Sequence, residues 1–169
     1  MEWTGARYAD GPTVEVSTWV DAPPAAVWPA VVDVVAMPSQ SPEVVQVEWL
    51  DSGRPEVGAR FRGHSRHDAL GSWSTVSEVV ECEEPARFAW AVEGPDGDAS
   101  ATWRFSLAVE DGGTRLSEWV RLGPGRSGLS LAIERMPDRE QKIVFVRLRE
   151  FETNMTGTLE AIRRRVEGA

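Results

Sequence analysis

His67 and Glu118 are the residues of this 169-residue chain whose types and positions best suit proton transfer. Over 59–67 the alternation puts Phe61, Gly63, Ser65 and His67 on one face and Arg60, Arg62, His64 and Arg66 on the other. Phe61 marks the first face as inner, so His67 is expected to point into the fold. Over 115–122, Leu116, Glu118, Val120 and Leu122 share a face, which sets a carboxylate among aliphatic side chains. A carboxyl removed from water keeps its proton to higher pH, and imidazole titrates near neutrality. Together they have the chemistry of an acid and a base for an enolisation or a dehydration. The competing reading is structural: a solvated His67 at a strand end, and a Glu118 paired with an arginine.

Other reactive types offer less. His64 and His67 lie three apart on one strand and so on opposite faces, where they cannot share a metal. The run 123–128 is glycine-rich but lacks the lysine of a phosphate-binding loop. Cys82 has no evident activating neighbour and reads as a structural thiol. No metal and no cofactor is expected. The aromatic residues are more suggestive, with eight Trp against one Tyr and five Phe. By the same alternation Phe61, Phe88, Trp90, Trp103 and Phe105 fall on apolar strand faces, where they either fill a core or wall a cavity for a flat ligand. In the C-terminal region Phe151 and Met155 lie on the apolar stripe of a helix, and Asn154 and Thr158 flank it, able to offer hydrogen bonds into a hollow.

These positions depend on a simple series of elements. Thr13 to Val20 alternates with β-branched residues and reads as a strand. Asp21-Ala22-Pro23-Pro24 follows as a turn into a helix, which Pro29 keeps short or bent. Six strands come next, over 44–50, 59–67, 73–82, 87–93, 101–109 and 115–122. Turn residues divide them, among them Asp51-Ser52-Gly53 and Asp111-Gly112-Gly113. The links are too short for crossover helices, so the strands should pair antiparallel. Val144, Leu148, Phe151, Met155, Leu159, Ile162 and Val166 then step by four and three, one apolar stripe on a long helix starting near Asp138. Arg147, Arg149, Glu152, Arg163 and Arg164 are assigned to its solvated faces, and 127–136 to a turn or short helix. Residues 1–12 read as a loose lead-in to a single α+β domain over 13–169, whose curved seven-stranded antiparallel sheet wraps one long helix.

Composition narrows the function. Eighteen basic against twenty-seven acidic residues give a net charge of −9, which disfavours nucleic acid and anionic membrane surfaces. No apolar run is long enough for a membrane span. The sequence opens without a basic and apolar leader, so a cytoplasmic protein is expected.

Several of these stretches resemble the START-like, or polyketide cyclase/dehydrase, superfamily with its helix-grip fold. The resemblance rests on Val20-Asp21-Ala22-Pro23-Pro24-Ala25-Ala26-Val27-Trp28, on Gly58-Ala59-Arg60-Phe61-Arg62-Gly63 and on the stretch from Trp73 to Trp90. Trp103-Arg104-Phe105 with Gly112-Gly113-Thr114-Arg115 complete it. It covers 13–166 and implies a cavity for an apolar or aromatic small molecule. The superfamily includes aromatic cyclases, lipid carriers, receptors and interaction modules, so three readings stay open. These are an aromatic cyclase or dehydratase, a carrier or sensor without chemistry, and an interaction module with a filled hollow.

Overall fold

The computed structural model describes residues 1–51 and 53–168. Ser52, placed in a turn by the sequence, lies outside the described residues, as does Ala169. The seven strands are β1 (Thr13–Val20), β2 (Val44–Trp49), β3 (Arg60–His67), β4 (Gly71–Glu83), β5 (Arg87–Glu93), β6 (Ala99–Glu110) and β7 (Gly113–Leu122). They form one antiparallel sheet in the order β1-β7-β6-β5-β4-β3-β2. Only the first connection is long. It carries α1 (Pro24–Val31) and a 3-10 turn over Val34–Ser39, and it takes the chain from one sheet edge to the other. Every later strand pairs with its predecessor, as short links require. The β6–β7 link is Asp111-Gly112, both with positive φ, the backbone a two-residue hairpin of this twist needs.

The helices follow from the same local rules. α1 opens with Pro24 in its first turn, contains Pro29 and ends at Val31 after eight residues. Its own Val27, Trp28, Ala30 and Val31 are buried. α2 (Gly128–Arg135) is capped by the Ser127 hydroxyl, which accepts from the Leu129 N–H at 3.2 Å. The long helix α3 runs Glu140–Glu167, two residues later than expected, because Pro137–Arg139 closes into a 3-10 turn first. Its buried residues include Val144, Leu148, Phe151, Met155, Leu159 and Ile162, the stripe read from the sequence.

That stripe serves two apolar clusters. Leu159 and Ile162 pack with α1 and with Phe61, Phe88, Trp90, Phe105 and Leu116. Val144, Leu148, Phe151 and Met155 pack with Val14, Val120, Leu122 and Leu129. Val16, Val92 and Trp103 touch both clusters and so mark the seam between them.

The first twelve residues are tied down rather than loose. Trp3 meets Phe145 edge-on at 5.0 Å, and Gln141 Nε2 donates to the Gly5 carbonyl at 2.7 Å. Arg7 pairs with Glu140 at 2.9 Å, and the Tyr8 hydroxyl lies 2.8 Å from the Gly125 carbonyl. They thereby brace one side of the first turns of α3.

Candidate functional site

Glu118 stands on β7 between Leu116 and Val120, opposite Val16 of β1 and Phe105 of β6. Leu116 belongs to one cluster and Val120 to the other, so the carboxyl sits at their seam. It is 5% exposed, and its Oε2 is buried without a hydrogen-bond partner. Burial pushes its pKa from 4.5 up to about 8. An unpaired carboxylate in such a place would be costly, so the side chain stays neutral and keeps its proton at pH 7. No arginine pairs with it among the described residues, so the structural reading of Glu118 loses its partner.

The predicted aromatic residues come together beside it. Trp90 and Trp103 face each other across β5 and β6, with ring planes 9° apart and centroids at 6.3 Å. Phe88, Phe61 and Phe105 surround Trp90 at 5.7, 6.1 and 5.9 Å. Phe151 of α3 meets Trp103 edge-on at 5.1 Å. Phe61, Phe88, Trp90, Phe105 and Met155 are buried. Trp103 is half-buried and leaves part of its surface open.

His67 lies elsewhere. Between β3 and β7 stand β4, β5 and β6, so at roughly 4.8 Å per strand His67 and Glu118 are about 19 Å apart along the sheet. His67 Nδ1 accepts from the Ala69 N–H at 3.1 Å, which leaves the proton of the neutral ring on Nε2. Nε2 faces Glu150 Oε1 of α3 at 3.4 Å. The two candidates are thus not a joint acid–base pair, because the last residue of β3 and the middle of β7 belong to different parts of the sheet.

The His67 end holds a polar cluster that the sequence reading missed. Arg147 binds Glu43 through two parallel bonds of 2.6 and 2.8 Å and Glu150 through one of 2.9 Å. Its guanidinium lies over the Phe151 ring at 4.3 Å. Burial pulls its pKa down, but the bonds from Glu43 and then Glu150 more than offset this and raise it. Arg147 was expected on a solvated face, yet it is buried. The readable signal was the series 147, 151, 154, 158, which steps by four, three and four along the edge of the stripe.

Asn154 and Thr158 belong to this cluster as well. Asn154 Nδ2 donates to Glu43 at 3.3 Å, and the Thr158 hydroxyl lies 3.1 Å from the Asn154 carbonyl and 3.3 Å from that of Gln40. Both side chains therefore tie α3 to the segment before β2 instead of offering free hydrogen bonds to a hollow. Glu43, His67 and Glu150 bring ligand atoms within 4.8 Å of one another. Arg147 already bonds both carboxylates, so a guanidinium supplies the charge that a metal would. Cys82 is half-buried with its thiol 2.9 Å from the Pro55 carbonyl; burial, then Glu84 and Glu56, push its pKa up and leave it inert.

A protein-family model described as "Polyketide cyclase / dehydrase and lipid transport" matches residues 11–167. The chain belongs to that family. Among solved structures it is similar to the Polyketide_cyc-like protein Cgl2372 from Corynebacterium glutamicum. The two share 29% identity with a TM-score of 0.64, over 92% of this chain and 91% of that one. It also resembles the di-domain ARO/CYC BexL from the BE-7585A biosynthetic pathway, at 21% identity and a TM-score of 0.64, covering 92% of this chain and 50% of that one. The di-domain ARO/CYC StfQ from the steffimycin biosynthetic pathway matches at 14% identity and a TM-score of 0.67, over 92% and 50%. The chain thus spans about half of each di-domain protein, and at these identities the likeness is one of fold. No curated protein sequence matches it. Sheet order and terminal helix are those of the helix-grip fold, and no described helix is long and apolar enough to cross a membrane.

Proposed function

We propose that this polyketide cyclase/dehydrase family member binds a flat hydrophobic molecule, aromatic or polycyclic, between α3 and the inner face of the sheet. We propose further that Glu118 is the acid of an enolisation or dehydration carried out there. One observation carries the reading: a neutral carboxyl with an unpaired oxygen, set at the seam of two apolar clusters beside Phe105. A buried donor of this kind is wasted on packing and useful to a carbonyl. In an enolisation its proton moves to the carbonyl oxygen while a C–H proton α to that carbonyl passes to water. The C–H electron pair becomes the C=C bond, the enol forms, and Glu118 regains a proton from solvent. Half-buried Trp103 and buried Trp90 supply a wall against which a flat ring system can lie.

His67 takes no part in that step. It is proposed as a group at the mouth, where it and the Arg147 cluster hold α3 against β3. A second reading, a carrier, also has support, because no second titratable side chain is bonded to Glu118 among the described residues. In that case Glu118 hydrogen-bonds the cargo and transfers nothing.

The two readings part on one experiment. N-Phenyl-1-naphthylamine reports binding, and benzoylacetone deuterated at its central methylene reports enolisation through loss of deuterium. The enzyme reading expects faster exchange with the wild type and a loss of ~10²–10⁴-fold in Glu118→Gln, with dye affinity retained. His67→Gln should leave exchange unchanged. Equal exchange in wild type and Glu118→Gln removes Glu118 as the acid. Binding without any catalysed exchange leaves the carrier.

A further inference from the structure

The two edges of the sheet are built differently. β2 forms one edge; its ladder with β3 is broken by a bulge between Val44 and Gln46, and Pro42 stands just before the strand. Bulges and prolines are common defences of an edge against a foreign strand. β1 forms the other edge and has neither. Its eight residues pair with β7 without a shift, from Thr13 opposite Arg121 to Val20 opposite Thr114. It contains no proline and no lysine, and its one charged residue, Glu15, is exposed. The Leu122 N–H donates to the Pro12 carbonyl at 3.0 Å, which sets the phase of the ladder. Val14, Val16, Thr18 and Val20 therefore bond β7 through their main chain, while the main-chain groups of Thr13, Glu15, Ser17 and Trp19 turn outward. Among the described residues no main-chain partner reaches the outward groups of Glu15 and Ser17.

A groove of about 550 Å³ runs beside this edge, between β1 and α3, lined by Val16, Ser17, Glu152, Thr153 and Thr156. Thr18 Oγ1 donates to Glu160 at 3.2 Å and ties strand to helix at one end of it. At the other end the N-terminal residues show what kind of chain this flank of α3 accepts. The Met1 ammonium pairs with Glu152 at 3.1 Å, Trp3 meets Phe145, Gln141 donates to the Gly5 carbonyl, and Arg7 pairs with Glu140. Residues 1–7 thus lie extended and antiparallel to α3, covering roughly 20 Å beside the roughly 18 Å of helix from 140 to 152. Glu152 belongs to both features, as the anchor of that segment and as a wall of the groove. Among the described residues it is the one charged group lining the groove, and no cation does so.

We propose that β1 accepts a further strand from a partner protein, an extended basic segment. It would bond the outward main chain of Glu15 and Ser17 and set lysine or arginine side chains against Glu15 on one face and Glu152 on the other. Charge complementarity chooses this occupant. A basic segment meets two carboxylates on a chain of net charge −9, whereas a second copy would bring the same carboxylates of both chains together. Main-chain bonds give an added strand its affinity, and alternate side chains give it selectivity. The surface lies on the outer side of β1, and the proposal does not rest on the chemistry of Glu118.

The test titrates the intact ¹⁵N-labelled protein with an acetylated, amidated hexapeptide, Lys-Lys-Val-Lys-Lys-Val. It should bind saturably and slow hydrogen exchange at the Glu15 and Ser17 amides roughly tenfold or more, since their free N–H groups gain acceptors. Two control peptides separate the contributions. Glutamate in place of lysine reverses the charge, and N-methylation of every residue keeps the charge but removes the donors. Each should bind roughly tenfold more weakly or not at all. Glu15→Lys/Glu152→Lys should weaken the basic peptide by a similar factor. Ser17→Pro should weaken it too, because it removes an outward N–H and no bond to β7. Equal affinity for either control peptide overturns the proposal, as does an unchanged double variant, an absence of binding, or binding that leaves both amides exchanging as before. A free protein that sediments as a dimer, with both amides already protected, assigns the edge to a second copy and also overturns it.

Discussion

Glu118 couples the stability of this protein to pH through a carboxyl held at about 8 instead of 4.5. Below 4.5 the folded and unfolded chains both carry the proton and burial costs no charge. As pH rises toward 8 the unfolded chain has already ionised while the folded one has not, so the folded state binds more protons and loses stability. Urea melts should therefore show stability falling between pH 5 and 8.5 by roughly 3–5 kcal/mol from this residue. Glu118→Gln should flatten that part of the profile, and an unchanged slope would mean that the carboxyl is solvated. A different charge governs the other end of the fold. Arg147→Gln should cost about 3 kcal/mol, because it leaves Glu43 without the cation that offsets its burial. Glu43→Gln should cost a similar amount, and the double variant distinctly less than the two combined, by equilibrium unfolding. Glu118 was legible in the sequence because strand alternation is strict and places it between Leu116 and Val120. Arg147 was not, since its charge argued for solvent while its spacing with Phe151 argued for burial, and only the distant Glu43 decides between them.

The elements depend on packing that local sequence describes well. The α3 stripe was readable because each of its residues is separated by three or four, and the burial of Val144, Leu148, Met155, Leu159 and Ile162 follows that spacing. Phe151 joins the stripe to the sheet through Trp103 and to the mouth through Arg147. Phe151→Ala should cost ~3–5 kcal/mol in chemical denaturation, as for other buried phenylalanines. A loss below about 0.5 kcal/mol would place the residue on the surface and the helix face in error. The turns were equally legible, since Asp111-Gly112 announces its hairpin by itself. The start of α3 at Glu140 was not, because Pro137–Arg139 closes into a 3-10 turn that apolar spacing does not report, and the partners of the Glu140 carboxylate, Arg7 and Tyr8, lie more than 130 positions away. The same contacts explain why residues 1–12, polar and glycine-containing, hold a definite place.

At the scale of the molecule the sheet wraps α3, and the inner aromatic wall runs from Trp28 through Phe88, Trp90 and Trp103 to Phe151. Strand alternation predicted which aromatic residues face inward. It could not predict how far they fill the space, which depends on rotamers chosen across five different elements. It also paired His67 with Glu118, since alternation reports the face of a strand and not the three strands that stand between them. We propose that a flat apolar molecule lies against this wall. Its most direct test is the set of indole N–H signals from the eight tryptophans in a ¹⁵N-labelled sample titrated with N-phenyl-1-naphthylamine. Saturable shifts are expected at Trp90 and Trp103, assigned by single Trp→Phe variants, with Trp3 and Trp19 unmoved at 54% and 40% exposure. Signals of Trp90 and Trp103 that stay in place throughout, or shifts confined to Trp3 and Trp19, would contradict it and leave a domain whose hollow is filled by its own side chains.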